Sequence, residues 1–221
     1  MTGRRLFILG NSFSKPIPLN PFPFLYIPQF SRFTLLVYLT LSHPGEHCSL
    51  FVAAEGQARQ RLGDFRNTRL ALNDHDSNSG MNLLRHALAP LGRDSAFFAE
   101  VHISGGHLRS LAMVAAGEVE LTSVDAVTFG YLQRHAPERL AGLRVLGRSA
   151  PSPALPLITS LHWSAAQRRE LFEALNLTLI ECPHLAATLA LKSFLPAGEE
   201  HYRILLDYER QAQGWGYPQL R

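Results

Sequence analysis

Leu70-Ala71-Leu72-Asn73-Asp74-His75-Asp76-Ser77-Asn78-Ser79-Gly80-Met81-Asn82-Leu83-Leu84 is the stretch on which the fold turns. Its first three residues are a short apolar run ending at Asn73-Asp74, the pattern of a buried strand entering a turn. From Met81 the period changes. Apolar residues at 81, 84, 88 and 91 share one helix face. Pro90 lacks an N–H and predicts that the regular helix ends just before it. The stretch therefore reads as strand, polar loop, helix, with its hydroxyls gathered at the helix start.

The same alternation continues outward. Ser49–Ala54 reads as a strand. Phe98–Ser104 and Val119–Val124 are further strands, followed by helices over His107–Ala116 and Ala126–His135. Gly117 sits where a helix stop belongs, and Asp125 is a good N-cap. Leu143–Gly147 and Leu155–Ser160 read as strands, and helices are expected over 164–175, 184–193 and 198–212. Leu177–Ile180 is too short to assign. Strands alternating with helices predict an α/β fold with mostly parallel sheets.

Pro151-Ser152-Pro153 and the segment near Glu55–Leu62 are the best boundaries. They predict a proline-rich N-terminal arm over 1–45, a discontinuous lobe built from 46–70 and 151–221, and an inserted lobe over 71–150. Residues 1–45 hold six of the 14 prolines and no acidic residue, which predicts an extended arm. Within it, Phe33–Leu41 is β-branched and aromatic enough to read as a buried strand.

Composition removes several classes. Of 221 residues, 46% are hydrophobic and 18% charged, enough for a core and against wholesale disorder. No apolar run reaches the roughly 20 residues of a membrane span. Cys48 and Cys182 are too few for a disulfide scaffold or a four-cysteine zinc site. The net charge of +3 comes entirely from residues 1–70, which carry +5. No basic cluster interleaved with aromatics appears, so no nucleic-acid partner is expected. Arg4-Arg5-Leu6-Phe7-Ile8-Leu9 opens like a secretory signal, but its apolar stretch is short of the roughly 7–15 residues required.

Three strand-to-helix junctions carry the functional signal: Asn73–Gly80, Ser104-Gly105-Gly106-His107 and Val124-Asp125-Ala126. In a parallel sheet such junctions face one crevice, where ligands bind. Hydroxyls and unpaired N–H groups at a helix start favour an anion. Ser77, Asn78, Ser79 and the amides around Gly80 thus form a candidate oxyanion cradle, and Gly105-Gly106 lets backbone approach a ligand. Each feature also has a plain structural role. Ser-x-Ser-Gly is a common cap, Gly-Gly a common turn, Asp125 a cap, and His107 a satisfied surface or core residue.

Together these junctions, with Gly147-Arg148 and Pro156-Leu157-Ile158-Thr159, resemble the phosphate/phosphonate type of ABC-transporter solute-binding protein over about residues 48–175. The resemblance implies a two-lobed, type II periplasmic-binding-protein-like fold that closes by a hinge over an oxyanion, without enzymatic activity. It implies a small oxyanion ligand, an ABC-transporter permease as partner, a periplasmic location and no cofactor. It carries ligand contacts to Asp74, Ser77, Ser79 and Gly80, to His107 and to Asp125, and the junctions themselves add Asn73, Asn78 and Ser104 as candidate contacts. Only about 48 residues precede the match, so the first lobe is expected to be reduced.

The residues themselves leave a second class open, a small-molecule enzyme or cytoplasmic ligand sensor on the same fold. There His107 would be the acid–base group and Asp125 its orienting partner. Other chemistry is thinner. Among His75, His86, His102, His107 and His135 no His-x-x-x-His pair with a Glu occurs, and no metal site is expected. Cys182-Pro183-His184 places its cysteine and histidine too close in sequence to face each other, and His201, Tyr202 and Tyr208 read as core packing with a wet edge.

Overall fold

The computed structural model describes residues 7–8, 33–41, 47–92, 96–160 and 162–220, the first two ranges as backbone alone. Most of the proline-rich segment, Pro16 to Pro28 included, lies outside the described residues. The chain divides into two compact units. One takes the described residues of Met1–Gly10, Tyr26–Glu46 and Ser152–Arg203. The other takes those of His47–Pro151 and Ile204–Arg221.

The larger unit is built on a five-stranded sheet. Its strands are β3 (Ser49–Ala54), β4 (Arg69–Leu72), β5 (Glu100–Ile103), β6 (Leu121–Asp125) and β7 (Leu143–Arg148), in spatial order β5-β4-β6-β3-β7. β4 runs parallel to both β5 and β6. β3 runs antiparallel to β6 and β7, so it alone is reversed and the sheet is mostly parallel. Alternation along the strands sorts the core onto two faces. Phe51, Ala53, Leu70 and Leu72 pack with Leu84 and Leu88 of α1 (Leu83–Gly92) and with Ala212 and Tyr217 near the C-terminus. Leu50, Val52 and Ala71 pack with Leu111 and Val114 of α2 (His107–Ala115) and Phe129 and Leu132 of α3 (Ala126–His135).

β3 and β4 therefore belong to this sheet, whereas the sequence groups residues 46–70 with 151–221. The strand β3 is recruited by pairing with β6, some 70 residues later, a partnership that periodicity does not encode. α1 also differs. It opens with a π-helical turn, Asn78–Asn82, and runs through Pro90 to Gly92. The proline costs one hydrogen bond in the last turn and is tolerated there. Gly117, at φ +71°, ends α2 as the sequence predicts.

The C-terminal segment is locked onto α1 by Arg85, whose buried guanidinium bonds Asn82 Oδ1 at 2.8 Å and Pro218 O at 2.8 Å. Glu209 lies 3.7 Å from the same guanidinium. Asn82 Nδ2 donates to Leu205 O at 3.2 Å.

The smaller unit has a four-stranded sheet, ordered β1-β8-β2-β9, from β1 (Phe7–Ile8), β2 (Phe33–Leu41), β8 (Pro156–Ser160) and β9 (Leu191–Pro196). Its described pairings are all antiparallel, unlike the mostly parallel arrangement expected. Phe33–Leu41 is a strand as predicted, so the N-terminal segment supplies two strands to a sheet rather than serving only as an arm. α4 (Ala165–Glu181) starts from a capping box between Ser164 and Gln167 and includes the unassigned Leu177–Ile180. It packs Leu179 against Leu157 and Phe194. α5 (Pro183–Leu189) ends before β9, which the sequence reading merges into a helix. β9 exists because β2 supplies its backbone partners and the Asn176 amide bonds both Phe194 N and Phe194 O. α6 (Glu199–Gly214) follows.

Tyr217 is 1% exposed in the core of the larger unit. Tyr217→Ala is expected to lower the unfolding free energy by about 3–5 kcal/mol in urea denaturation. A loss below about 1 kcal/mol would show that the C-terminal segment contributes little to this core.

Candidate functional site

Parallel β5, β4 and β6 are neighbours, so their C-terminal ends share one edge of the sheet. There the chain turns into α2, the π-helical turn and α3 respectively. Because β3 is reversed, its first residues reach the same edge, with Ser49 opposite Asp125. Four segments distant in sequence are thus delivered to one place.

Ser79 is the centre of the arrangement. Its Oγ is 3.1 Å from His107 Nε2. Its carbonyl accepts from Ser49 Oγ and Ser123 Oγ, each at 2.7 Å. Two strands thereby fix the peptide that presents the hydroxyl. Ser77 caps the turn, its Oγ accepting from Gly80 N at 2.9 Å. Gly80 sits so close to Asn73 that an added Cβ would run into its Oδ1 and stand 2.9 Å from its Cγ.

Asp125 caps α3, accepting from Thr128 N at 2.8 Å, as the sequence predicts. Its other oxygen, Oδ2, is 3.3 Å from His107 Nε2, and His47 Nε2 lies 3.9 Å from Oδ1. His107 is the first residue of α2, with Gly106 at the N-cap.

The structure thus brings Ser79, His107 and Asp125 together. The other predicted residues take local roles. Asp74 is exposed and accepts from Asp76 N at 2.9 Å, shaping the turn. Asn78 Oδ1 accepts from Asn82 Nδ2. Ser104 Oγ is 2.6 Å from Ser110 Oγ and turned into the start of α2. Asn73 is buried beneath Gly80. His47, Ser49 and Ser123 are missing from the sequence reading. The antiparallel pairing of β3 with β6 is their only signal.

Charge within the site is set by burial and by these contacts. Burial would raise the Asp125 carboxyl, but His47, His107 and Thr128 outweigh it and hold the group well below the usual carboxylate range, so it is ionised. Burial pushes His107 below its ordinary value; Asp125 and the Ser123 main chain oppose this, and His47 adds to it. Ser79 and Asp125 meet the same imidazole nitrogen. A nucleophile–base–orienter relay needs them on opposite nitrogens, so the geometry is not that of a hydrolase triad. Among the described residues no three His, Cys, Asp or Glu side chains are placed to share a metal ion.

A family model matches most of the chain. The model, described as ABC transporter, phosphonate, periplasmic substrate-binding protein, covers residues 20–202. The chain belongs to that family. No curated protein sequence matches it significantly. Solved structures show the same α/β, periplasmic-binding-protein-like fold. A binding component of a phosphonate ABC transporter from Pseudomonas aeruginosa is 16% identical, with a TM-score of 0.74, over 85% of this chain and 65% of that one. PhnD1 from Prochlorococcus marinus in complex with methylphosphonate is 14% identical, with a TM-score of 0.70, over 82% and 72%. A Xanthomonas citri protein bound to ATP is 19% identical, with a TM-score of 0.65, over 85% and 74%. Proteins of this family are periplasmic binding components, and among the described residues no helix is long and apolar enough to cross a membrane.

Gly80→Ala is expected to destabilise the phosphonate-family site by about 1–3 kcal/mol, because a short buried Asn73 has to move. Urea denaturation checks this, and an unchanged midpoint would show that Asn73 relaxes freely. The second expectation concerns pH. The lowered His107 value means that the unfolded chain binds a proton that the folded chain refuses. Stability is therefore full above the ordinary imidazole value of 6.5 and falls as the pH drops below it. In His107→Gln this part of the slope disappears from a series of denaturation curves.

Proposed function

We propose that this protein is the substrate-binding component of an ABC transporter and takes a phosphonate-like oxyanion at the β4–α1 junction. One observation carries the reading: Ser79, locked by two serine hydroxyls through its carbonyl, presents its own hydroxyl on His107 at the edge where three strands end. The first N–H groups of a helix have no partner within it, and an anion supplies one. Asn78 and Ser79 would provide amides, Ser77 and Ser79 hydroxyls, and His107 an imidazole, while the Gly80 amide stays on Ser77 Oγ and shapes the turn. Asn73, Asp74 and Ser104 hold the turns in shape, and Asp125 orients His107. A periplasmic location and a membrane permease as partner follow from this role.

A thermal-shift series with methylphosphonate, phosphate, sulfate, ATP and small carboxylates tests the proposal. A ligand at about 100 times its Kd adds roughly 2.7 kcal/mol of stability, enough to raise Tm measurably. Ser79→Ala is expected to abolish the shift given by the preferred oxyanion, since a buried anion then loses a donor. A shift of equal size in the variant would reject the site. Mass spectrometry after prolonged incubation should return the ligand intact, as a binder requires; conversion would identify an enzyme instead.

A further inference from the structure

Two imidazoles share one buried carboxylate beside Ser79. Asp125 is 6% exposed, His47 5% and His107 2%. His107 faces Oδ2 at 3.3 Å and His47 faces Oδ1 at 3.9 Å, an ion-pair distance. The Thr128 amide also holds Oδ1. Contacts therefore run without a break from the entry of β3 to the π-helical turn, through His47, Asp125, His107 and Ser79.

We infer that His47 is a positioning residue of the oxyanion site, and that the cluster takes up a proton when a dianionic oxyanion docks on Ser79. The inference rests on Ser79 and His107 forming that site. With His107 neutral, the Asp125 carboxylate beside it keeps its negative charge, and a dianion meets like charge. One proton on His107 neutralises the pair and leaves Nε2 a donor between Asp125 and Ser79. Burial holds His107 below its ordinary value and so resists that proton, and the nearby His47 acts in the same direction. A dianion within a few ångströms reverses the preference. The Thr128 amide holds Oδ1 and His47 stands beside the same oxygen, which leaves Oδ2 for His107.

Asp74, His75, Arg109 and Arg148 are exposed, and Asp76 and Tyr131 are half-buried. Cys48, next to His47, is buried in the core.

Calorimetry of the full chain with methylphosphonate, in two buffers of different ionisation enthalpy, counts the protons. The ligand's own ionisation is common to every variant and cancels in comparison. At about pH 7.5 the wild type is expected to take up roughly one proton more than His107→Gln. Its affinity advantage should grow up to about tenfold per pH unit as the pH falls. His47→Gln is expected to weaken binding roughly tenfold and to displace the uptake profile along the pH axis, which a purely structural role would not do. Equal proton uptake in all three, with binding retained, would overturn the inference and leave the oxyanion site standing. Absence of methylphosphonate binding by the wild type would overturn both. Should either variant fail to fold, imidazole NMR of the wild type decides: His107 resonances moving to the imidazolium form on saturation support the inference, and unchanged resonances reject it.

Discussion

A carboxylate buried as Asp125 is has to be answered at both oxygens, and the larger unit is organised around doing so. The Thr128 amide takes one oxygen and so starts α3. His107 takes the other and so fixes the first residue of α2. His47, two residues before β3, closes the arrangement. Two helices and a reversed strand are thus tied to one ionised group, and removing any partner would leave charge in a place where water cannot reach it.

Beside this lies a second, uncharged constraint. The carbonyl of Ser79 receives two hydroxyls, from Ser49 and Ser123, which stand on neighbouring strands. A peptide whose oxygen is held twice has little freedom to rotate. Its amide is held as well, by Ser77 Oγ, so the Ser79 hydroxyl beside it is oriented before any ligand arrives, which lowers the entropy lost on binding.

Much of this was legible in the residues. The change of period at Met81 marked β4, the turn and α1. Asp125 and Gly117 declared themselves as helix punctuation, and Ser79 and His107 stood at equivalent junctions. These signals are local, and local chemistry enforces them. What was not legible is long-range. Nothing in Ser49–Ala54 says that it pairs antiparallel with β6, so His47, Ser49 and Ser123 could not be placed at the site. Leu191–Pro196 lacks an intrinsic preference strong enough to announce a strand, and becomes one through β2 and Asn176. Pro90 misled because the rule against proline weakens in a last turn.

The reversal of β3 has an effect on what sequence change the protein tolerates. Ser49 contacts the loop that presents Ser79, while Phe51 and Val52, a few residues on, point into opposite layers of the interior. Deleting one residue in that strand would both swap those layers and withdraw the serine. The greasy residues thus act as a ruler for a polar contact they never touch, and length here is guarded more strictly than identity.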